Sequence, residues 1–201
     1  MILQSMKKSL ILFVGLFTII FNNVNAQNVS PDNPDTNGLY LGASLLGTAW
    51  NTPDSDVDSE SGGGIGLKLG YNFNTNIAAF FSVDGSVINP EQGEDYALAH
   101  ADLGIEGRLG NYDGKLRPFA RLSYLGMSAQ SDENAGDFEI NGTGIGLGGG
   151  LYYFATNNFA LELGYTHSWV NINEVKVGSS SADVDEDART GRLSLGASYH
   201  F

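Results

Sequence analysis

The sequence predicts an all-β fold, an eight-stranded antiparallel up-and-down transmembrane β-barrel. Three observations lead to this prediction. Apolar and polar residues alternate in eight successive segments, the connections between segments are alternately short and long, and the charged residues within the segments avoid the apolar phase. Successive side chains of a β-strand point to opposite faces, so each segment can present one face to lipid and the other to the interior of a barrel.

The last strand, from Gly191 to Phe201, has the most regular pattern. Its apolar phase consists of Leu193, Leu195, Ala197, Tyr199 and Phe201. The intervening residues are small, polar or charged, and they include Arg192 and His200. This strand therefore indicates which phase faces lipid, and the phases of the other strands can be compared with it.

Residues 1–26 have the organisation of a secretory signal peptide. Two Lys precede an apolar stretch at 10–21, and small residues at 24–26 provide a cleavage site. The apolar stretch is shorter than the ~18–20 residues that a membrane-spanning helix needs, so we expect export and cleavage. Residues 27–37 contain two Pro and are expected to form a flexible periplasmic lead-in, followed by the barrel at 38–201.

The composition excludes several classes of function. The chain has no Cys, which excludes thiol catalysis and Cys-ligated metal sites. Its formal net charge is −13, and removal of residues 1–26 would take away two of the 10 basic residues and none of the 23 acidic ones, which leaves −15. Such a charge argues against nucleic acid as a partner.

Eight strands are expected, at residues 38–50, 62–73, 77–88, 96–110, 116–130, 142–155, 159–173 and 190–201. Each is at least as long as the ~9–11 residues that a tilted strand needs to cross a bilayer. The even number suits a barrel whose two ends return to the same side of the membrane. The first strand is the least regular, because Leu46 and Trp50 fall in its polar phase and suggest a β-bulge.

The connections between these strands alternate in length. We expect short turns, rich in Asn and Gly, at 74–76, 111–115 and 156–158, and longer loops at 51–61, 89–95, 131–141 and 174–189. In outer-membrane-type barrels the short turns are periplasmic and the longer loops are extracellular. The long loops hold most of the 23 acidic residues, so the outer surface should be strongly anionic.

The charged residues inside the predicted strands all lie on the inward phase. We expect them to form a charge network in the lumen, composed of Lys68, Asp84, Asp102, Glu106, Arg108, Arg117, Arg121, Glu162 and Arg192. On the lipid face each Lys or Arg would cost ~2–4 kcal/mol at the bilayer midplane. An eight-stranded barrel is just wide enough for its own side chains, so we expect ion pairs and water instead of an open pore. The Gly run at 144–150 would leave room for opposing Arg and Tyr side chains.

Aromatic residues of the outward phase collect beside the short turns and the end of the last strand. They form a predicted girdle at the periplasmic membrane boundary, composed of Tyr71, Phe73, Tyr153, Phe159, Tyr199 and Phe201. Such girdles mark the boundary between membrane and water in transmembrane barrels.

The strand number, the loop asymmetry and the C-terminal pattern of residues 38–201 resemble the small bacterial outer-membrane barrels of the OmpA membrane-domain, OmpX and opacity-protein type. The resemblance implies location in the bacterial outer membrane, and it implies that the barrel assembly machinery reads Tyr199 and Phe201 as an assembly signal. The implied partners are outer-membrane lipid, lipopolysaccharide and an external ligand or host surface. We expect a monomer without a cofactor, a metal site or a nucleic-acid partner.

The three His residues are the first candidates for chemistry. His167-Ser168 resembles the His-x-Ser pair of lipid A deacylase barrels. Here the two residues are adjacent, so their side chains point to opposite faces and cannot form a nucleophile–base pair. We expect His100 to belong to the lumen network beside Asp102, and His200 to lie at the periplasmic mouth. Catalytic residues are therefore not assigned.

An acidic stretch at 54–60 is the candidate for metal binding. It resembles the start of a calcium loop but lacks the Gly at the sixth position and the closing Glu, which excludes an EF-hand. Weak bridging of Ca²⁺ or Mg²⁺ between the loops and lipopolysaccharide remains as a hypothesis.

We therefore predict a non-enzymatic outer-membrane barrel with a side-chain-filled lumen, acidic extracellular loops, and a structural or surface-interaction role in adhesion or in the cell envelope. One alternative is a narrow porin-like channel for small solutes. A second is a lipid-modifying outer-membrane enzyme. A third is a soluble lipocalin-like barrel, in which the apolar faces would turn inward and the charged residues outward.

Overall fold

The computed structural model describes residues 37–52, 59–90, 95–109, 115–131, 138–178 and 180–201. The predicted signal peptide, the lead-in up to residue 36 and the tips of the connections at 53–58, 91–94, 110–114 and 132–137 lie outside the described residues. None of the described segments is a helix of the length and hydropathy that spanning a bilayer requires.

The described chain forms one closed antiparallel sheet. Its strands are β1 (Gly38–Asn51), β2 (Glu60–Asn72), β3 (Ile77–Asn89), β4 (Tyr96–Arg108), β5 (Leu116–Ser131), β6 (Phe138–Phe154), β7 (Phe159–Val177) and β8 (Ser180–His200). Each strand pairs with the next, and β8 pairs with β1 to complete the barrel. The predicted fold class, an eight-stranded up-and-down barrel, is confirmed. We call the end with the longer connections the outer end and the opposite end the periplasmic end.

Two of the predicted short turns, at 74–76 and 156–158, lie at the periplasmic end. The side-chain oxygen of Asn74 accepts hydrogen bonds from the backbone N–H groups of Asn76 and Ile77, each at 2.8 Å. The hydroxyl of Thr156 accepts from the backbone N–H of Phe159 at 3.0 Å. Asn and Thr side chains replace backbone partners in this way, and this explains why such residues end one strand and begin the next.

The prediction of a long outer loop at 174–189 is wrong. β7 continues to Val177 and β8 begins at Ser180, so this stretch is a two-stranded extension of the barrel. Gly178 has a φ of +57°, in the left-handed region that favours Gly, which permits the tight reversal. The acidic residues concealed a weaker apolar pattern in which Val175 and Val184 pack against the buried interior of the barrel. β6 likewise begins earlier than predicted, at Phe138.

The predicted bulge in β1 is also wrong. The registers of β1 with β2 and with β8 run without interruption. Register shifts occur between Asn141 and Gly142 and between Ile172 and Glu174. Both apolar residues point inward without a bulge: Trp50 packs against a buried apolar cluster, and Leu46 lines the interior cavity.

The outward face of the barrel is apolar along its strands. Leu45 and Leu103 are each 65% exposed, and Ile65 is 67% exposed. In a soluble lipocalin-like barrel these side chains would be buried inside, so their exposure contradicts that alternative. The charged residues of the strands lie inside instead.

Candidate functional site

The interior of the barrel is layered from the outer to the periplasmic end. At the outer end lies a buried apolar layer, the outer apolar cluster, composed of Ile88, Tyr96, Leu98, Leu125, Met127, Ala129, Val170, Ile172 and Ala188. This layer was not predicted, because ion pairs and water were expected throughout the lumen. The signal was present, since the inward phase of several strands changes from charged to apolar near their outer ends, as at Leu98 and Leu125.

At its outer side, the outer apolar cluster is joined through its member Tyr96 to Trp50, Glu60 and Phe138. The Glu60 carboxylate accepts hydrogen bonds from the Trp50 indole N–H, at 3.3 Å, and from the Tyr96 hydroxyl. Trp50 also donates to the Tyr96 hydroxyl. The ring of Phe138 packs edge-on against Tyr96, with centroids 6.0 Å apart. These side chains lie across the outer mouth of the barrel.

Below the apolar layer lies the outer charge cluster, which consists of Asp84, His100, Asp102 and Arg192. Arg192 contacts both oxygens of Asp102, Nη1 at 2.7 Å and Nη2 at 2.9 Å, and its Nη1 lies 2.6 Å from Asp84. Such two-pronged contacts are among the strongest hydrogen bonds in proteins. His100 Nδ1 lies 3.0 Å from Asp84 instead of beside Asp102, because Asp84 and His100 are register partners on β3 and β4.

The inner charge cluster lies nearer the periplasmic end and contains Lys68, Glu106, Arg108, Arg121 and Glu162. Glu162 pairs with Lys68 and Arg121. Glu106 pairs with Arg108 at 2.9 Å and with Arg121 at 3.2 Å. The Tyr152 hydroxyl joins the cluster, since it donates to Glu106 at 3.1 Å and accepts from Lys68 at 2.9 Å.

Arg117 is the ninth residue of the predicted network. It is buried near the periplasmic end of β5, where its guanidinium lies 4.8 Å from the centre of the Phe154 ring. An Arg at this distance over an aromatic face gains a cation–π interaction. All nine predicted residues are thus directed into the barrel, and eight of them fall into the two ion-paired clusters.

The two clusters differ in charge balance. The outer cluster has two carboxylates and one guanidinium, whereas the inner cluster has three cations and two carboxylates. A cavity of about 60 Å³ lies against both clusters, and its lining includes Lys68, Asp84, Arg121 and Arg192. A water needs roughly 10–15 Å³ of such space, so the cavity can hold a few waters between charged groups.

The periplasmic end of the interior is closed by aromatic rings. The rings of Tyr40 and His200 stack with centroids 5.0 Å apart, and those of Phe119 and Tyr152 lie 4.8 Å apart. His200 is buried here, and its Nδ1 lies 3.0 Å from the Asn72 amide nitrogen. The cavity therefore has an apolar layer above it and an aromatic layer below it.

The Gly run of β6 makes space for side chains of β5. A Cβ on Gly148 would lie 3.0 Å from Cγ of Arg121, and a Cβ on Gly150 would lie 2.8 Å from the Phe119 ring. The backbone of β7 is nearer still, with the Tyr165 carbonyl oxygen 2.8 Å from the first Cβ and the Leu163 carbonyl oxygen 2.1 Å from the second. The run thus accommodates an Arg, as expected, but the aromatic neighbour is Phe119 and not a Tyr.

The predicted girdle residues lie on the outward face at the periplasmic end. Tyr71 packs edge-on against Phe73, with centroids 5.5 Å apart, and Tyr199 packs against Phe201 at 5.2 Å. Tyr153 and Phe159 are likewise exposed on this face. The backbone N–H of Phe201 donates to the carbonyl of Leu39 at 2.9 Å, which ties the chain end to β1.

His167 and Ser168 are directed to opposite faces, as their spacing predicts. Ser168 is fully buried and its hydroxyl lies 3.4 Å from Nη2 of Arg192. The His167 ring instead lies on the outward face, 4.6 Å from the ring of Trp169. A nucleophile and a base thus do not meet here.

In the described ranges no group of three or more His, Cys, Asp or Glu is arranged to hold a metal ion, and most of the acidic stretch at 54–60 lies outside those ranges.

At the outer end, parts of β6, β7 and β8 continue beyond the barrel as an extension whose outward face is polar. Lys176 lies 3.3 Å from Glu139 and 3.2 Å from Glu174. Hydrogen bonds from Asn141 and Lys176 lower the pKa of Glu139, and the hydrogen bonds to Glu174 and Glu139 raise the pKa of Lys176. Near neutral pH both groups are therefore charged and paired across the strands.

Sequence comparison places the chain among bacterial membrane barrels. A family model described as "Outer membrane protein beta-barrel domain" matches residues 15–201. Over 162 residues, 70% of its length, the chain is 29% identical to YaiT of Escherichia coli (strain K12). The matched stretch corresponds to 15% of YaiT, so the chain spans a small part of that relative.

Several solved structures share the fold. Neisserial surface protein A (NspA) has a TM-score of 0.65 at 18% identity, with 82% of this chain and 97% of that chain covered. Ail, the attachment invasion locus protein of Yersinia pestis, has a TM-score of 0.54 at 18% identity, with 82% and 99% covered. The outer membrane protein AlkL has a TM-score of 0.54 at 15% identity, with 89% and 95% covered. At these identities the likeness establishes the architecture alone.

Proposed function

Because the chain belongs to the outer membrane protein β-barrel domain family, we propose that it is a non-enzymatic protein of the bacterial outer membrane with a surface-interaction role. One observation carries this proposal. The interior is occupied by apolar, ion-paired and aromatic layers, whereas the extension of β6 to β8 carries an exposed acidic face beyond the barrel. The solvent-facing surface at the outer end is therefore the surface available to a partner.

A narrow channel is disfavoured by the arrangement of the layers. A solute passing from the outer end would have to separate Trp50, Tyr96 and the outer apolar cluster before it reached the charged cavity. It would then have to break buried ion pairs, whose separation leaves charges without partners at a cost of several kcal/mol. These barriers support a closed barrel.

A lipid-modifying activity is disfavoured by the opposite orientation of His167 and Ser168. Nucleophilic catalysis needs a nucleophile and a base within hydrogen-bond reach.

We also propose that the protein is a monomer surrounded by outer-membrane lipid and lipopolysaccharide. Tyr199 and Phe201 are proposed as the residues that the assembly machinery reads.

Two measurements test the proposed function together. The purified full chain in planar bilayers should give no discrete conductance steps under conditions in which a porin does. Cells that display the chain should attach to surfaces coated with laminin, fibronectin or collagen in larger numbers than cells without it. Neutralisation of the acidic face by Asp183→Asn, Asp185→Asn and Asp187→Asn should reduce that attachment. Conductance steps together with unchanged attachment would favour the channel instead.

A further inference from the structure

The cavity between the two charge clusters brings cations and carboxylates together around one space of about 60 Å³. Its charged lining consists of Lys68, Asp84, Asp102, Arg121, Glu162 and Arg192. Three positive and three negative side chains thus meet there, so the signs of the charges alone do not select an occupant. The hydrogen bonds that these side chains already make distinguish a cation from an anion.

The two Asp side chains of the lining already have a partner at each of their oxygens. Asp84 contacts His100 through Oδ1 and Arg192 through Oδ2. Asp102 accepts from Ser123 at Oδ1, and the Arg192 guanidinium contacts both of its oxygens. A cation in the cavity would have to displace one of these partners from a buried carboxylate, which is costly.

Hydrogen-bond donors, in contrast, exceed the acceptors around the cavity. Lys68 and Arg121 occupy the two oxygens of Glu162. Lys68 also donates to the Tyr152 hydroxyl, which leaves one of the three N–H groups of its ammonium for another acceptor. Within the part of the chain that the structure describes, Nε of Arg121 and Nε of Arg192 are buried and have no hydrogen-bond acceptor. A buried donor without an acceptor is costly, so a further acceptor here would stabilise the barrel.

The net charge of the lumen network also favours an anion. Its nine residues comprise five cations and four carboxylates, which leaves one excess positive charge when His100 is neutral. Glu60 does not offset this charge locally, because it lies at the outer mouth, eight positions from Lys68 along β2, or roughly 26 Å. An uncompensated charge is costly in an interior of low dielectric constant, and one monovalent anion would make the network neutral.

We propose that the cavity binds one small monovalent anion, chloride. The ion lies on the inner side of the cavity, away from the outer charge cluster, where Lys68 donates its third N–H and the Arg121 guanidinium is adjacent. The hydroxyls of Ser44 and Ser82 line the same cavity and rotate to donate to the ion. The space suffices, since it is about four times the roughly 10–15 Å³ that a water requires. This inference concerns the interior and is independent of the proposed surface role.

Bromide locates the ion directly, because it has the charge of chloride, a similar radius and a strong anomalous signal in diffraction. Crystals of the full chain grown in sodium bromide should show an anomalous peak in contact with Nζ of Lys68. The Lys68→Met variant keeps an unbranched apolar side chain without the charge and should lose that peak. Peaks confined to the outward face would represent an adventitious ion only and would overturn the inference. A cavity peak that persists in Lys68→Met would overturn it too.

Urea unfolding in detergent micelles tests the same site without crystals. Chloride replaces gluconate, which is too large for the cavity, at constant ionic strength. A single chloride site lowers the equilibrium constant for unfolding by about tenfold for each tenfold rise in chloride above its dissociation constant. The same equilibrium constant in chloride and in gluconate would contradict the proposed site.

Two matched double variants separate the cavity from the rest of the interior. Ser44→Ala with Ser82→Ala removes two hydroxyls of the lining, one on β1 and one on β3, and should weaken chloride binding at least threefold. Thr48→Ala with Ser86→Ala removes two buried hydroxyls from the same strands, four positions further out and away from the cavity, and should leave the chloride dependence unchanged. An equal chloride dependence of both double variants would refute the assignment of the ion to the cavity.

Discussion

The two charge clusters depend to different extents on a single cation. Among the described ion pairs, Asp84 and Asp102 share one basic partner, Arg192. The two carboxylates that contact Arg121 each have a second basic partner, which is Arg108 for Glu106 and Lys68 for Glu162. We expect Arg192→Leu to lower the free energy of unfolding by about 3–5 kcal/mol, because two buried carboxylates lose their partner. Arg121→Leu should cost less, since it removes a surplus cation. Urea unfolding in detergent micelles measures both, and equal losses would contradict this difference.

Arg189→Leu serves as the control for the Arg192 variant. Arg189 lies on the same strand but is exposed on the outward face. Surface substitutions away from buried networks usually change stability by about 0.5 kcal/mol or less. A loss as large as that of Arg192→Leu would show that the removal of any Arg from β8 is damaging, and that the buried pairing is not the cause.

The side on which each charged residue lies could be predicted, but its partner could not. The period of two and the cost of a charge in lipid are local properties of a sequence, and they direct Lys68 and Glu162 inward. Their pairing across 94 positions depends on how the strands tilt and close, which a single strand does not reveal. His100 illustrates the limit, because its partner is fixed by the register of β3 with β4.

At the scale of elements, the Gly positions of the strands have two different roles. Gly148 faces inward, where a Cβ would lie 2.6 Å from the Thr166 hydroxyl and 3.0 Å from Arg121. Gly126 faces outward, and a Cβ there meets nothing within 4 Å. We expect Gly148→Ala to destabilise the barrel by roughly 1–3 kcal/mol through overpacking. Gly126→Ala should leave stability unchanged or raise it by up to about 1 kcal/mol, since Gly loses more freedom on folding.

The measurement for both Gly variants is urea unfolding under the same detergent conditions. A similar loss for Gly126→Ala would mean that the barrel responds to any added methyl group. An unchanged Gly148→Ala variant would mean that the Thr166 and Arg121 side chains and the Tyr165 backbone carbonyl adjust without cost. Either result would contradict the view that the Gly run exists to seat the side chains of β5.

The strands themselves were predictable, and the outer ends of β7 and β8 were not. An isolated acidic stretch is typical of a solvated loop, so charge outweighed the weaker alternation of Val175, Val177 and Val184. In the structure these strands extend outward because Val175 and Val184 pack against the outer apolar cluster. That support comes from several strands at once and is invisible in the segment alone.

At the scale of the whole molecule, charge and hydropathy are inverted relative to a soluble protein. The outward face is apolar, the middle of the interior is ion-paired, and the cavity between the clusters lies between an outer apolar layer and a periplasmic aromatic layer. The outer cluster has one excess negative charge and the inner cluster one excess positive charge when His100 is neutral. The interior thus approaches neutrality as a whole although neither cluster does, a balance that only the closed barrel provides.

The two Trp residues of the chain report on the two faces of the barrel. Trp169 lies on the outward face and is 43% exposed, whereas Trp50 lies inside the outer mouth against the apolar cluster. In liposomes, the Trp50→Phe variant leaves Trp169 as the fluorophore, and brominated lipid should quench it strongly. The Trp169→Phe variant leaves Trp50, which should resist both brominated lipid and aqueous iodide. Strong iodide quenching of Trp50 would mean that water fills the mouth, and the closed interior on which the surface role depends would then be wrong.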